Sequence, residues 1–318
     1  MPFEQFANQN QTAQKTEESL EQPKTFDEQF AKKIKIELAG AVAEAIDVSP
    51  EKVKTSIPTI LAPGWATSLE VYKPAIQEYF NQGRRVVAMD HPRLSGEGGD
   101  VEIALHRAKI DENALLEYPK AELRKALNLL QLMDQIGIEK ADFIAHSEST
   151  INTMIAATLR PEKFNNIVFF GPAGLIGQDS MPRLVKGFAD QTKKQAGMED
   201  EPLTDAQKEN SKEMAKSLTS YFLKNPLRAL NEILDISETQ TDKMLKNIHD
   251  KGIGTVIMSG VDDPVFPASQ MQKFVRTDMV DGFLTVKAGH GIPENYMPVI
   301  DQMLSGLEEK KKAENKKD

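Results

Sequence analysis

FIAHSEST, residues 143–150, leads a short apolar run directly into five polar residues. An ordinary strand-to-helix turn with a good helix cap has this pattern. A turn that exposes one serine as a nucleophile has it too, because its sharp backbone needs small residues two positions before and after the serine. Ala145 and Ser149 are both small, although neither is glycine. The motif alone leaves both interpretations open.

Similar short apolar runs recur along the chain, and longer amphipathic segments separate them. Each run is rich in β-branched or aromatic residues and is apolar on both faces, which is typical of strands in a parallel sheet covered on both sides. The alternation predicts an α/β fold with a doubly wound, mostly parallel sheet flanked by helices. Ligands of such sheets bind at the carboxyl ends of the strands. The runs are residues 59–62, 85–89, 143–145, 167–170, 255–258 and 283–286.

The organisation of the chain follows from where these runs stop and resume. Residues 34–174 and 252–310 are predicted to form the core, and residues 175–251 are helical in pattern without a strand candidate. We expect this insertion to be a helical cap over the sheet edge, and extra helices on the back face are the alternative. Residues 1–33 are predicted to be a flexible or helical N-terminal arm, and residues 311–318 a charged tail.

Composition excludes several classes of function. The net charge of −9 over 318 residues argues against nucleic-acid binding, which needs a basic surface. The chain has no cysteine, so thiolate nucleophiles, disulfides and cysteine metal sites are excluded. No spacing of His, Asp or Glu indicates a metal site, no phosphate-binding loop is present, and we predict no cofactor. No stretch has the length of a membrane span or the form of a signal peptide, so the expected location is cytoplasmic.

Three other predicted strands are followed by residues that are typical of catalytic sites. The first run is followed by LAPGWATS, in which Gly64 and Trp65 form a turn that leaves a backbone amide exposed. The run at 255–258 is followed by SGVDDPVFP, which contains two adjacent aspartates. The last run is followed by KAGHGIP, in which His290 stands between two glycines. A histidine in that setting suits reaching a partner better than packing in a core.

Together these stretches resemble the α/β-hydrolase superfamily over about residues 55–310. The resemblance implies that Ser147 is a nucleophile, that His290 is its general base and acid, and that Asp263 orients the imidazole. Asp263 is preferred to Asp262 because the family pattern is Gly-x-x-Asp counted from Gly260. It also implies a fold in which nucleophile, acid and histidine follow one another along the chain, as they do here.

The same resemblance assigns supporting residues around the serine. The backbone amides of Trp65 and Glu148 are expected to form the oxyanion hole. His146 is expected to be a hydrogen-bonded structural residue. Pro63 departs from the family, which often has a histidine before this glycine. The residues expected to line the substrate pocket are Gly64, Trp65, Met181, Leu184 and Phe188. The alternative for the three on the insertion is that they only pack the cap against the body of the protein.

The sequence therefore predicts a serine hydrolase that works through an acyl-enzyme. Its expected substrate is an ester, a thioester or a related carbonyl compound with an apolar acyl part. The same residues also serve hydrolysis of carbon–carbon, amide and peptide bonds, and perhydrolysis. A small-molecule-binding protein on a hydrolase scaffold is the alternative from another class. The oligomeric state is not predicted.

Overall fold

A computed structural model of the protein describes residues 25–91, 100–177, 179–195, 205–314 and 316. Within these ranges the strands form one eight-stranded sheet in the order β1-β2-β4-β3-β5-β6-β7-β8. In chain order the strands are β1 Ile34–Leu38, β2 Ala41–Val48, β3 Thr59–Ala62, β4 Val86–Met89, β5 Ala141–His146, β6 Phe164–Phe170, β7 Gly254–Gly260 and β8 Gly282–Val286.

Strand direction confirms the predicted doubly wound, mostly parallel sheet. From β4 through β3 to β8, every neighbouring pair is parallel. The chain order reverses direction beside β3, so the carboxyl ends of β3 and β5 open onto a crevice. β1 and β2 add an antiparallel edge that the apolar runs do not predict. Their side chains largely alternate between buried and exposed, whereas β3 to β7 are buried on both faces.

Two hydrophobic clusters cover the two faces of the sheet. Phe143 on β5 belongs to one cluster, and the next residue, Ile144, belongs to the other. The alternating side chains of a strand point to opposite faces, which explains why the strand is apolar throughout. One face is covered by α1 Phe26–Ala31, α2 Leu69–Asn81 and α12 Met297–Glu314, and the other by α3 Val101–Ala108, α5 Lys120–Ile136 and α6 Ser149–Leu159.

In the described residues of the predicted helical insertion, four helices lie between β6 and β7. They are α7 Met181–Gln195, α8 Asp205–Lys224, α9 Pro226–Glu238 and α10 Asp242–Asp250. Helices α7, α8 and α9 pack on one another, while α8 also contacts α2 and α9 contacts α5. Helix α10 packs against α6 on the body of the molecule. Two short helices complete the described fold: α4 Ala114–Glu117 and α11 Ala268–Met271.

The chain ends are partly described. Of the predicted arm, residues 1–24 lie outside the described residues, and α1 follows at once with a capping box between Thr25 and Glu28. Phe26 and Phe30 are buried, and α1 packs against β2. At the other end α12 continues through residue 314, so the first four residues of the predicted tail are helical. Residues 315, 317 and 318 lie outside the described residues.

Candidate active site

Ser147 occupies a strained turn between β5 and α6. Its backbone φ of 57° is left-handed, a conformation that costs energy in a residue with a Cβ atom. The Ser147 amide donates to the Phe170 carbonyl at 3.0 Å, and the Ser147 carbonyl accepts from the Ala173 amide at 3.2 Å. The end of β6 and the loop after it therefore hold the turn in place from one side.

The two small flanking residues fit this turn in different ways. Ala145 is buried on β5, where its small side chain avoids crowding the serine. The Ser149 hydroxyl is buried and donates to the carbonyl of Pro63, which lies in the loop after β3. A glycine could not make this bond. Ser149 thereby ties the turn to the Gly64 loop, where an added Cβ would lie 3.1 Å from the Cβ of Ser147.

The structure brings Ser147, His290 and Asp263 into one hydrogen-bonded chain. Oγ of Ser147 lies 2.8 Å from Nε2 of His290, and Nδ1 of His290 lies 2.9 Å from Oδ2 of Asp263. The three side chains come from the ends of β5, β7 and β8 and are all buried. With Nδ1–H donated to the carboxylate, Nε2 is free to accept the hydroxyl proton of the serine.

Asp263 is held as an acceptor by two further bonds. Its Oδ1 accepts from the backbone amides of Val265 at 2.7 Å and Phe266 at 2.9 Å. Burial alone would raise the pKa of this carboxyl, but the charge of His290 and the hydrogen bonds from His290, Phe266 and Val265 outweigh it and lower the pKa below its ordinary value. Asp263 is therefore ionised at neutral pH. The neighbouring Asp262 is exposed, whereas Asp263 is buried.

Gly171 is a site residue that the sequence interpretation did not identify. It follows β6 in the segment FFGPAG, with a left-handed φ of 52°. A Cβ atom there would lie 3.2 Å from both Oδ2 of Asp263 and Nδ1 of His290. Glycine is therefore required by space and by backbone conformation together. The turn composition of FFGPAG was the only available signal, and it does not specify a contact with the aspartate.

His146 belongs to a buried hydrogen-bond network that braces the Gly64 loop. Its Nε2 lies 2.6 Å from the His290 carbonyl, to which it donates, so Nδ1 accepts from the Tyr72 hydroxyl at 2.6 Å. That hydroxyl in turn accepts the Gly64 amide at 2.7 Å. Thr67 completes the brace by donating to the Gly64 carbonyl at 2.6 Å. These contacts fit the predicted structural role of His146 and supply a support that Pro63 lacks.

The protonation of His146 gives a pH-dependent prediction. Burial, and secondarily the charge of His290, lowers the pKa of His146 from 6.5 to about 3. Between these values the unfolded chain binds a proton that the folded protein does not, so stability falls as the pH falls. His146→Gln keeps a donor for the His290 carbonyl. Between pH 4 and 5.5 we expect the unfolding free energy of this variant to fall less steeply with decreasing pH than that of wild type. The two slopes should differ by about 1.4 kcal/mol per pH unit.

Urea denaturation at several pH values measures this difference. Comparing the two slopes cancels the contributions of other titrating groups, including the buried carboxyls of Asp90 and Asp142, whose pKa values burial raises to about 6. Equal slopes for wild type and His146→Gln would contradict a neutral, buried His146.

The two predicted oxyanion residues lie on either side of the serine. Glu148 follows Ser147 directly, and Trp65 follows Gly64, which packs against the serine. Their side chains point away into the protein. The indole Nε1 of Trp65 donates to Oε2 of Glu232 on α9 at 2.9 Å, and the carboxylate of Glu148 contacts the ammonium of Lys125 on α5. Neither side-chain contact follows from the sequence pattern.

A cavity of about 220 Å³ opens beside Ser147 and His290. Of the residues expected to form the substrate pocket, Gly64 and Phe188 line this cavity, whereas Trp65, Met181 and Leu184 do not. Leu184 is fully buried in the core, Met181 packs against the same core, and the Trp65 ring lies against Phe188, Tyr221 and Phe222. Helices α7 and α8 supply most of the wall, through Phe188, Gln191, Thr192, Met214, Ala215, Leu218 and Thr219.

Two properties of the described residues bear on other functions. No group of three or more His, Asp or Glu side chains in this part of the chain is placed to hold a metal ion. No helix in the same ranges has both the length and the apolar character needed to cross a bilayer.

Solved structures of similar fold include several hydrolases. A carboxylesterase from the ammonia-oxidizing thaumarchaeon Nitrososphaera gargenis shares 14% identity over 87% of this chain and 100% of that chain, with a TM-score of 0.60. An esterase from Exiguobacterium antarcticum shares 11% identity over 87% and 98%, with a TM-score of 0.59. A serine hydrolase involved in carbazole degradation shares 18% identity over 86% and 98%, with a TM-score of 0.58. These likenesses show the fold.

No curated protein matches the chain in sequence. The family model for the alpha/beta hydrolase fold, however, matches residues 58–295, which is most of the chain and includes the turn at Ser147, both aspartates and His290. With this match added to the sheet order and the hydrogen-bonded serine, the chain belongs to the α/β-hydrolase fold family.

Proposed function

We propose that this protein is a serine hydrolase that cleaves a neutral carboxylic ester or thioester through an acyl-enzyme. The observation that carries the proposal is the chain of hydrogen bonds from Ser147 through His290 to Asp263, with distances of 2.8 and 2.9 Å. The strained backbone at Ser147 adds support, since such strain persists where a side chain must be held in one position. The esterases of similar fold are consistent with the same substrate class.

The chemistry follows from the positions of the protons. Ser147 Oγ attacks the substrate carbonyl carbon while Nε2 of His290 takes the hydroxyl proton, and the amides of Trp65 and Glu148 stabilise the oxyanion. When the tetrahedral intermediate collapses, His290 returns this proton to the departing alcohol or thiol. Water then attacks the acyl-enzyme with His290 again as the base, which releases the acid and restores the serine. Asp263 keeps Nδ1 protonated throughout and stabilises the imidazolium.

The cavity favours a small, uncharged acyl group. Its wall combines the apolar side chains of Phe188, Met214, Ala215 and Leu218 with neutral polar ones, and His290 is the only titratable lining residue besides the neutral His146 within the described chain. A volume of about 220 Å³ is below the range of about 300–1,000 Å³ usual for drug-sized ligands. We propose that α7, α8 and α9 are the cap that encloses this acyl group.

Covalent labelling with a fluorophosphonate probe tests the proposal. We expect one probe per chain, and we expect mass spectrometry of the digested protein to locate it on Ser147. The neighbouring Ser149 is an internal control, because its buried hydroxyl is committed to the Pro63 carbonyl. In parallel, p-nitrophenyl esters of increasing acyl length should be hydrolysed with the highest kcat/KM among the shorter chains, and matched anilides should react more slowly.

Two outcomes would contradict the proposal. A folded wild-type protein that neither labels nor cleaves an activated ester would instead favour a binding protein on the same scaffold. Labelling that maps to another serine would place the nucleophile elsewhere.

A further inference from the structure

A buried polar network surrounds Lys125 close to the Ser147 turn. Lys125 lies on α5, and its Nζ is 2.7 Å from Oε1 of Glu122, in contact with the carboxylate of Glu148, and 3.7 Å from Oε1 of Glu232. The side chains of these four residues are at most 2% exposed. We call them the Lys125 network. It joins the body helix α5, the turn after Ser147 and helix α9 of the insertion.

Burying the charges of the Lys125 network carries a large desolvation cost. The network places three carboxyl groups around one ammonium, and Arg228, whose Nε is 3.3 Å from Oε1 of Glu232, adds a cation at its edge. The charge of Arg124 also interacts with those of Glu232 and Glu122. Burial raises the pKa of Glu122, opposed by the charge of Lys125 and reinforced by that of Glu148. Buried ion pairs seldom add net stability compared with apolar packing, so stability alone does not account for this network.

The Lys125 network contacts the side chains of both proposed oxyanion residues. The Trp65 indole donates to Oε2 of Glu232 at 2.9 Å, and the Tyr221 hydroxyl donates to the same oxygen. The Glu148 carboxylate is held by Lys125. The two backbone amides that are proposed to bind the oxyanion thus belong to residues whose side chains end in one rigid, buried cluster.

The Trp65 loop is held both from the body of the protein and from the insertion. Tyr72 accepts from the Gly64 amide, and Thr67 donates to the Gly64 carbonyl, which shares its peptide group with the Trp65 amide. After Trp65 the chain enters a left-handed conformation at Ala66, with φ of 56°, and the Ala66 carbonyl accepts from Ser217 on α8. The insertion helices therefore hold the Trp65 side chain and the peptide that follows it, next to the peptide that Thr67 holds.

We propose that the Lys125 network sets the position of the Trp65 amide relative to the Glu148 amide, so that Glu232 and Lys125 are positioning residues of the oxyanion hole. This inference rests on the proposed hydrolase function. Because Glu232 belongs to α9, the insertion would then do more than wall the cavity. It would supply one of the supports that make transition-state stabilisation possible.

Paired substitutions at Trp65 and Glu232 test the inference. Trp65→Phe keeps an aromatic ring but loses the indole N–H, and Glu232→Leu loses the acceptor. We expect each variant to lower kcat by about tenfold to a hundredfold with KM within about twofold of wild type, because a displaced donor weakens transition-state binding specifically. The double variant should lose little more than Glu232→Leu alone, since that substitution already removes the Trp65 contact together with those of Tyr221, Lys125 and Arg228.

Two further measurements separate positioning from general damage. The affinity for an alkylboronic acid, which forms a tetrahedral adduct with the serine, should fall in these variants by about the same factor as kcat/KM. Glu232→Gln keeps an amide oxygen that accepts the indole N–H, so it should retain kcat within about threefold of wild type. A purely structural role for Glu232 would not link boronate affinity to turnover in this way.

A buried pair outside the site supplies the matched control. Nε of Arg84 lies 2.5 Å from Oδ1 of Asp301, and Arg84 is as buried as Lys125. Arg84→Met should lower the midpoint of thermal unfolding while leaving kcat within about twofold of wild type. If Trp65→Phe and Glu232→Leu keep wild-type kcat, or lose no more than Arg84→Met at an equal loss of stability, the inference is wrong. Wild-type protein without ester turnover would overturn the proposed function itself, and the inference with it.

Discussion

Ser147→Ala is expected to lower kcat for ester hydrolysis by about 10⁵- to 10⁶-fold. The variant removes the only oxygen that lies within hydrogen-bond distance of Nε2 of His290 among the described contacts, at 2.8 Å. Removing the nucleophile leaves the cavity and the oxyanion amides in place, so a small residual rate over uncatalysed hydrolysis should remain. With an activated short-chain ester, stopped-flow measurements give the fast rate of wild type and long progress curves give the slow rate of the variant.

Binding should survive the same substitution. The cavity wall comes largely from α7 and α8, and alanine at position 147 leaves it unchanged. Calorimetry with the carboxylate product or an intact slow ester should therefore give a dissociation constant within about threefold of wild type. This separates loss of chemistry from loss of the site.

Ser149→Ala is the matched control for Ser147→Ala. It removes a neighbouring hydroxyl of the same turn, whose bond to Pro63 we expect to be worth about 1 kcal/mol of stability. The variant should still label at Ser147 and keep most of its activity. The proposal that Ser147 is the nucleophile would be wrong if Ser147→Ala kept activity within tenfold of wild type. It would also be wrong if Ser149→Ala lost more activity than Ser147→Ala.

The strands could be predicted from the sequence where they form short, continuous apolar runs. Strands β3 to β7 are buried throughout, because a parallel sheet covered by helices needs apolar residues on both faces. The edge strand β8 also comes from an apolar run, although it is only partly buried. β1 could not be found in this way. Ile36 and Leu38 are buried, but Lys35 and Glu37, which alternate with them, are exposed, as expected for an edge strand with one solvated face. Such alternation contains no run that is apolar on both faces.

The positions after the strands were enough to nominate Ser147, Asp263 and His290, since parallel strands bring their carboxyl ends to one edge of the sheet. The supports of the site could not be predicted. Lys125 lies 23 residues from Glu148 along the chain and sits in the amphipathic pattern of α5, where a charged residue is normally solvated. Its burial depends on the tertiary packing of α5 against α6 and α9, which helical periodicity alone does not specify.

Asp263→Asn is expected to lower kcat by about 10⁴-fold, although asparagine has nearly the same shape as aspartate. The backbone amides of Val265 and Phe266 both donate to Oδ1, so the amide oxygen of asparagine must occupy that position. Its NH₂ group then points at Nδ1 of His290, which is forced to accept. The imidazole proton moves to Nε2, and Nε2 can then no longer accept the proton of Ser147.

The adjacent residue supplies the control for Asp263→Asn. Asp262 is exposed, so Asp262→Asn should leave kcat within about twofold of wild type. Steady-state kinetics give the rates, and ¹⁵N NMR of the histidine ring reports which nitrogen carries the proton. We expect Nδ1 to be protonated in wild type and in Asp262→Asn, and Nε2 in Asp263→Asn. Equal losses at the two aspartates, or a tautomer unchanged by Asp263→Asn, would show that Asp263 does not orient His290, because an orienting carboxylate changes the rate and the position of the proton together.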